Sequence, residues 1–298
     1  IPRSELIAVR VLVTGGRGFL GRRLMPLLAE HEVMSLVRGV AVDDEQPGIR
    51  TVVGDITRDG GWQEAIEDFA PEWCIHLAWD GLPDYSLASC RANLDANVAL
   101  LQTLVRANVG RMVVAGSCWE YGRAADAVRE EDSPIDCGVF AATKNAVRNM
   151  LEGVSREAGF DYRWARIFFA YGPGQRSASL IPHLHASFAR GTVPALRDPN
   201  AVQDFVHVDD VARGLVMLAQ CQAPSGIFNL GSGQPTSVGE IANRVARHYG
   251  QSPPFVCVDP GPGLWADISR TNSATGWRPE IGIADGIEMT LHALDGKI

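Results

Sequence analysis

The stretch Val9–Gly21, VRVLVTGGRGFLG, limits what this chain can become more than any other part of it. Val9, Val11, Leu12 and Val13 form the short apolar run of a strand buried on both faces of a parallel sheet. Thr14, Gly15 and Gly16 stop that run, and Gly15, Gly18 and Gly21 then stand three residues apart. Such a loop lets the backbone approach a pyrophosphate, and the helix behind it offers free N–H groups and a positive dipole end. The spacing is G-x-x-G-x-x-G rather than G-x-G-x-x-G. Its position between the first strand and the first helical pattern therefore carries the nucleotide reading against that of a simple tight turn.

The same strand–helix unit recurs through the first half of the chain. Residues 18–30 read as the first helix, with Pro26 placed to bend it. Residues 31–37, 51–54, 73–78, 111–115 and 162–168 read as further strands, and 62–69, 89–108 and 139–158 as helices. Strand–helix units on short connections predict an α/β fold, a doubly wound parallel sheet of Rossmann type with ligands at the strand C-terminal ends. From about residue 170 the texture changes: Gly172-Pro173-Gly174, the 194–200 loop and Pro253-Pro254 break the chain into shorter elements. Ser237-Val238-Gly239-Glu240 is a capping box for a helix running to Tyr249. The division is thus a dinucleotide-binding domain over 1–169 and a smaller C-terminal substrate lobe over 170–298, interleaved with the first and not independently folding.

Composition narrows the partners. The 298 residues are 46 % apolar, enough for a sizeable core, and the net charge of -8 argues against nucleic acid or an anionic membrane. Six scattered cysteines (74, 90, 118, 137, 221, 257) form no C-x-x-C and read as reduced, buried thiols of a cytoplasmic protein. No apolar run reaches the length of a membrane span.

The second strand ends in Val37-Arg38 without the acid that commonly bonds an adenosine ribose, while Arg17 sits inside the glycine loop. Two arginines there favour a 2′-phosphate and hence NADP, with NAD as the alternative. Asp55-Ile56, at the end of the third strand, is placed to face the adenine, and His76 reads as a buried, hydrogen-bonded residue rather than a catalyst.

Collectively these motifs resemble the extended short-chain dehydrogenases/reductases. TGGRGFLG, Asp55-Ile56, His76-Leu77-Ala78, Asn97, Ser117 with Tyr121-Gly122, and Lys144 carry the likeness. Arg166-Ile-Phe-Phe-Ala-Tyr-Gly-Pro-Gly174, Gln203-Asp-Phe-Val-His-Val-Asp-Asp-Val211 and Phe228-Asn-Leu-Gly-Ser-Gly233 are similar to the nucleotide-sugar epimerase/dehydratase branch. The resemblance implies a dinucleotide held by Gly15, Arg17, Gly18, Phe19, Leu20, Gly21, Arg38, Asp55, Ile56, Leu77, Ala78, Trp79, Asn97, Lys144, Ile167 and Phe168. It also implies a small-molecule substrate, a nucleotide diphosphate sugar, with a homodimer as an open alternative to a single chain.

In that family a Ser or Thr, a Tyr, and a Lys four residues after the Tyr serve the redox chemistry. A hydride passes between nicotinamide and a sugar carbon, so a proton must move to or from the sugar oxygen. A phenol can do this beside an ammonium that lowers its pKa, and i, i+4 spacing puts both on one helix face. Ser117 and Lys144 match, but Phe140 occupies the Tyr position and cannot exchange a proton. Three readings stay open: a substitution introduced to trap a complex; a natural residue with Tyr121, Cys137 or water taking the proton; or a dinucleotide-binding sensor that does not turn over.

Further departures bear on the substrate. Cys118 and Trp119 stand where dehydratases of the branch carry Asp-Glu, which argues against dehydration, and Glu120 lies one residue late. Phe169 replaces the usual Asn, and Gln203 the Arg that grips the diphosphate, leaving Arg176 and Arg197 as substitutes. Trp119, Phe169, Arg176 and Gln203 are the substrate candidates. An aromatic residue at 169 is more similar to sugar 4-ketoreductases than to epimerases. The expected activity is therefore an NAD(P)-dependent 4-ketoreductase of a nucleotide-linked deoxysugar, with epimerase as the nearest alternative. No metal is expected, because His183 and His185, two apart on a helix, point to different faces. No G-x-S-x-G elbow supports a hydrolase.

Overall fold

The computed structural model describes residues 8–39, 48–58, 60–122, 126–256 and 261–296. Of the cysteines, Cys74, Cys90 and Cys118 are buried, Cys137 and Cys221 half-buried, all five with free thiols, and Cys257 lies outside the described residues. No helix among the described residues is long and apolar enough to cross a membrane.

In chain order the first half gives β1 (Arg10–Thr14), α1 (Gly21–Leu24), β2 (Glu32–Val37), β3 (Ile49–Val53), α2 (Trp62–Phe69), β4 (Trp73–His76), α3 (Leu87–Arg106) and β5 (Arg111–Ser117). A short β6 (Ala127–Val128), α4 (Val139–Ala158) and β7 (Asp161–Ile167) follow. Then come β8 (Phe169–Tyr171), α5 (Leu180–Ala189), β9 (Val202–His207), α6 (Val208–Gln220) and β10 (Gly226–Leu230). β11 (Pro235–Ser237), α7 (Val238–His248), β12 (Gly263–Ala266), α8 (Ser269–Thr275) and α9 (Ile283–Leu294) complete the series.

Seven strands form one sheet in the order β3-β2-β1-β4-β5-β7-β10, and every pairing in it is parallel. The doubly wound expectation is met. Alternate side chains of each strand feed opposite faces: Val11, Val13, Ile75 and Val113 join one core, Leu12, Cys74, Met112 and Val114 the other. The order reverses between β1 and β4, and such a switch point opens a crevice at the strand C-termini. β10 belongs to this sheet although it lies beyond residue 169. A second, smaller sheet runs β11-β9-β12-β6, with β8 on β9. α5, α7 and α9 close a third core around Leu184, Phe188, Ile241, Val245 and Leu291. Ser237 caps α7 by accepting from the Glu240 N–H at 3.1 Å.

The first helix departs from expectation. It is α-helical only over Gly21–Leu24 and tightens to a 3₁₀ turn over Met25–Leu28. Pro26 has no N–H to continue the α ladder and its ring crowds the preceding turn. The segment 18–20 remains in the loop, tied by the Gly18 N–H to the Gly15 carbonyl at 2.9 Å.

Gly21 is where this loop folds back on itself. A Cβ there would lie 2.3 Å from the Gly15 carbonyl oxygen and 2.5 Å from the Gly16 Cα. Both obstacles are backbone, so no side-chain shift relieves the clash. Gly21→Ala should therefore cost about 1–3 kcal/mol. Denaturant unfolding is the measurement, with a lower midpoint at unchanged slope as the expected outcome.

Candidate active site

The crevice holds two adjoining cavities. One, of about 390 Å³, is lined by the glycine loop (Thr14–Gly18), the ends of β2 and β3 (Leu36–Gly39, Gly54–Thr57) and Leu77–Asp80 after β4. Gly15 adopts φ +74°, and a Cβ would meet the Ala78 nitrogen at 2.9 Å, so only glycine lets the loop approach the β4 end so closely. Asp55 accepts from the Thr57 N–H and hydroxyl at 2.9 and 2.7 Å, and those bonds hold its carboxyl below the usual range. The second cavity, of about 330 Å³, lies against Ser117, Trp119, Phe140, Lys144, Ile167–Ala170 and Arg176. Leu77 and Trp79 line both.

α4 presents Phe140 and Lys144 on its buried face, in register with Val147, Leu151 and Ser155. The Lys144 ammonium donates to the Ala115 carbonyl at 2.8 Å and stands 4.0 Å above the Trp79 ring. Burial lowers its pKa to about 8, partly opposed by Glu120. Phe140 sits edge-on to Trp79, Tyr85 and Trp119, with ring centroids 5.3, 5.2 and 5.8 Å away. Ser117 ends β5 with its hydroxyl accepting from the Trp119 N–H at 3.2 Å.

Glu120 is fully buried and wholly occupied. Its carboxylate accepts from the Ser117 N–H at 2.7 Å, the Trp164 indole at 2.8 Å and the Arg166 guanidinium at 3.0 Å. It thus supports the β5 turn and faces away from the cavity. Cys118 lines the cavity, but burial pushes its thiol far above the usual range. Among the described residues no carboxylate lines the cavity beside Ser117 to pull a proton from a sugar carbon.

Several expected residues lie elsewhere. Tyr121 is not in either cavity: it is buried, its hydroxyl donates to Asn229 Oδ1 at 2.7 Å, and burial raises its pKa to about 12. Cys137 is bonded to the Glu120 carbonyl at 3.4 Å and also lies outside them. Asn97 carries no cavity surface; its side-chain oxygen meets His76 at 3.1 Å and its amide donates to the Asn93 carbonyl. His76 is buried between Asn97 and Thr14, its pKa lowered to about 3 chiefly by burial. Phe19 and Gln203 line neither cavity, the latter lying on β9 between Thr236 and Leu264. Tyr85 and Asp80 are among the residues outside the expected set that face the crevice. Tyr85 lines the second cavity, and Asp80 lines the first, where it pairs with Arg38. The acid absent from the β2 end thus arrives from the loop after β4. Arg17 donates to the Gly39 carbonyl beside it.

A glycine cradle that any Cβ would fill, at the switch point of a parallel sheet, with the buried Trp79 indole N–H left without a protein partner, fits a dinucleotide. Comparison with known proteins agrees. The model of the NAD dependent epimerase/dehydratase family matches residues 11–231, and the chain belongs to that family. A dTDP-L-rhamnose 4-epimerase of Burkholderia thailandensis is 28 % identical over 93 % of each chain. The dTDP-4-dehydro-6-deoxyglucose reductase of Escherichia coli is 21 % identical over 96 % of this chain and 98 % of its own. MoeE5, solved in complex with UDP-glucuronic acid and NAD, superposes with a TM-score of 0.84 at 28 % identity, covering 97 % of this chain and all of its own.

Lys144 is held in the site at a cost to the fold. A lysine whose folded pKa is depressed destabilises the fold increasingly as pH falls from its unfolded value to about 8, and fully below that. Lys144→Met should accordingly leave thermal stability at neutral pH unreduced while weakening dinucleotide binding. Calorimetric titration beside thermal unfolding tests the split; a loss of stability with unchanged affinity would make Lys144 a packing residue.

Proposed function

We propose that the protein is a reductase that takes a hydride from NADPH to the 4-keto carbon of a nucleotide-linked deoxysugar. The observation that supports this most is the join at Leu77 and Trp79, which sets Ser117 and Lys144 beside the cavity suited to a dinucleotide. Bound there, the reduced nicotinamide supplies a hydride. The chain's own residues do the rest. Gly15, Gly18 and the α1 N-terminus receive the pyrophosphate, Asp55 and Ile56 flank the adenine, and the Lys144 ammonium reaches the nicotinamide ribose. The Ser117 hydroxyl orients the sugar oxygen, Trp119 and Phe169 bound the sugar face, and exposed Arg176 meets the diphosphate.

Reduction suits this site better than its relatives' other reactions. Dehydration needs a carboxylate beside the sugar, and Glu120 is committed to Trp164 and Arg166. Epimerisation needs one group to take a proton and later return it, whereas reduction needs only one donation. Phe140 can do neither. If the sugar is reduced once and released, oxidised dinucleotide should accumulate one for one with product; an epimerase would return the hydride and show none. Single-turnover absorbance with a 4-keto nucleotide sugar distinguishes the two.

Arg38 supports NADP over NAD, but a 2′-phosphate must displace the carboxylate of Asp80. An exposed ion pair is worth about 0–1 kcal/mol, less than the roughly 1.5–3 kcal/mol of a hydrogen bond to a charged group. NADPH should therefore bind more tightly than NADH, Asp80→Asn should widen the gap, and Arg38→Ala should remove it. Calorimetry with both dinucleotides measures all three, and equal affinities in the wild type would reject the preference.

A further inference from the structure

We propose that Tyr85 donates the proton in this reduction, from a loop that none of the family motifs includes. The inference rests on the reductase reading above. A ketone that accepts hydride becomes an alkoxide unless an acid stands within reach, and Phe140 offers none. The chain contains five tyrosines. Tyr121 gives its hydroxyl to Asn229 under the β5 turn. Tyr162 packs in the core against α4, Tyr171 in the third core, and Tyr249 beside Asp295. Tyr85 is the one that lines the cavity holding Ser117 and Lys144.

Its placement suits the task. The Tyr85 ring lies 5.2 Å from that of Phe140 and 5.1 Å from that of Trp119, so it flanks the position where relatives with a phenol on α4 carry theirs. No side chain among the described residues is bonded to its hydroxyl, which leaves the O–H for a ligand. At 38 % exposure Tyr85 also keeps contact with water. It immediately precedes Ser86, the cap of α3, whose hydroxyl accepts from the Ser89 N–H at 3.3 Å. The Asp84 carboxylate accepts from the Ser86 N–H and hydroxyl and so holds this turn. Other acids in the cavity are poorly suited: the Cys118 thiol is buried and hard to ionise, and the Lys144 ammonium is directed to the Ala115 carbonyl and the Trp79 face.

The step balances. The carbonyl carbon gains the hydride from the reduced dinucleotide, the C=O π pair moves to oxygen, and that oxygen takes the proton as the Tyr85 O–H bond breaks. The products are the sugar alcohol, oxidised dinucleotide and a phenolate, which water on the open side of Tyr85 reprotonates.

The test is single-turnover oxidation of NADPH by a 4-keto nucleotide sugar in the wild type, Tyr85→Phe, Phe140→Tyr and the double variant, with dissociation constants of dinucleotide and nucleotide sugar measured by calorimetry. Tyr85→Phe should slow the rate constant about 10²–10⁴-fold with both dissociation constants unchanged. Phe140→Tyr should restore the rate in the double variant. A Tyr85→Phe rate equal to wild type overturns the proposal and leaves the reductase reading standing. So does a wild type that turns over only after Phe140→Tyr, which shows the substrate class to be right and the donor absent. No turnover by any of the four, with both ligands bound, overturns the proposal and the reductase reading together.

Discussion

The carboxylate of Glu120 fixes the end of the strand on which the site is built. Three donors of different kinds converge on it: the Ser117 backbone, the Trp164 indole and the Arg166 guanidinium. Gly116 has to be glycine for this to happen, since a Cβ would meet the Trp164 indole nitrogen at 2.3 Å and Glu120 Oε1 at 2.7 Å. Arg166 in turn lies 4.1 Å over the Tyr121 ring, so the aromatic side chain below the turn is held by the same charge. Removing one partner from a buried ion pair of this type costs about 3–5 kcal/mol, because the other charge is stranded. Ser117 and Trp119 reach the cavity from a turn that has little freedom to move.

Above that turn the environment is mostly aromatic. Phe140 stands edge to face with Trp79, Tyr85 and Trp119, and the Lys144 ammonium lies over the Trp79 ring. Burial beneath such rings disfavours the charged form of a group held there. The lowered pKa of Lys144 is the direct expression of this. A site so poor in polar groups leaves its few hydroxyls and its one ammonium to set the orientation of whatever enters.

Local spacing made much of this readable from the sequence. The glycine loop, the Ser117 strand end and the i, i+4 relation of Phe140 and Lys144 each depend on residues close along the chain, and residues of each line the crevice. What failed depends on contacts between distant segments or on side-chain direction. Asp80 reaches Arg38 across 42 positions, so a search for an acid along β2 could not find it. Tyr121 follows Ser117 closely, but beyond the tight 3₁₀ turn between them its ring is buried in the core and its hydroxyl is given to Asn229. Asn97 has the family position yet acts on His76 rather than on the crevice. Tyr85 lies in an irregular loop that carries no periodic signal, and only the folded arrangement brings it next to α4.

The seventh strand of the large sheet has a consequence for how the chain emerges during synthesis. β7 ends at Ile167, but its outer neighbour β10 begins only at Gly226. Until residues 168–225 have been made and have crossed to the small sheet and back, β7 is an unpaired edge rich in buried side chains. Parallel pairing across so long a connection forms slowly, and an open edge of this kind is a template for wrong partners. β10 carries Asn229, which bonds Tyr121 from the first half, the Val128 carbonyl of the small sheet and the Asp267 carbonyl just beyond β12. The large sheet is thus completed at one edge by a segment translated late, and a nascent chain halted before β10 would carry the glycine loop on a sheet with the β7 edge left open.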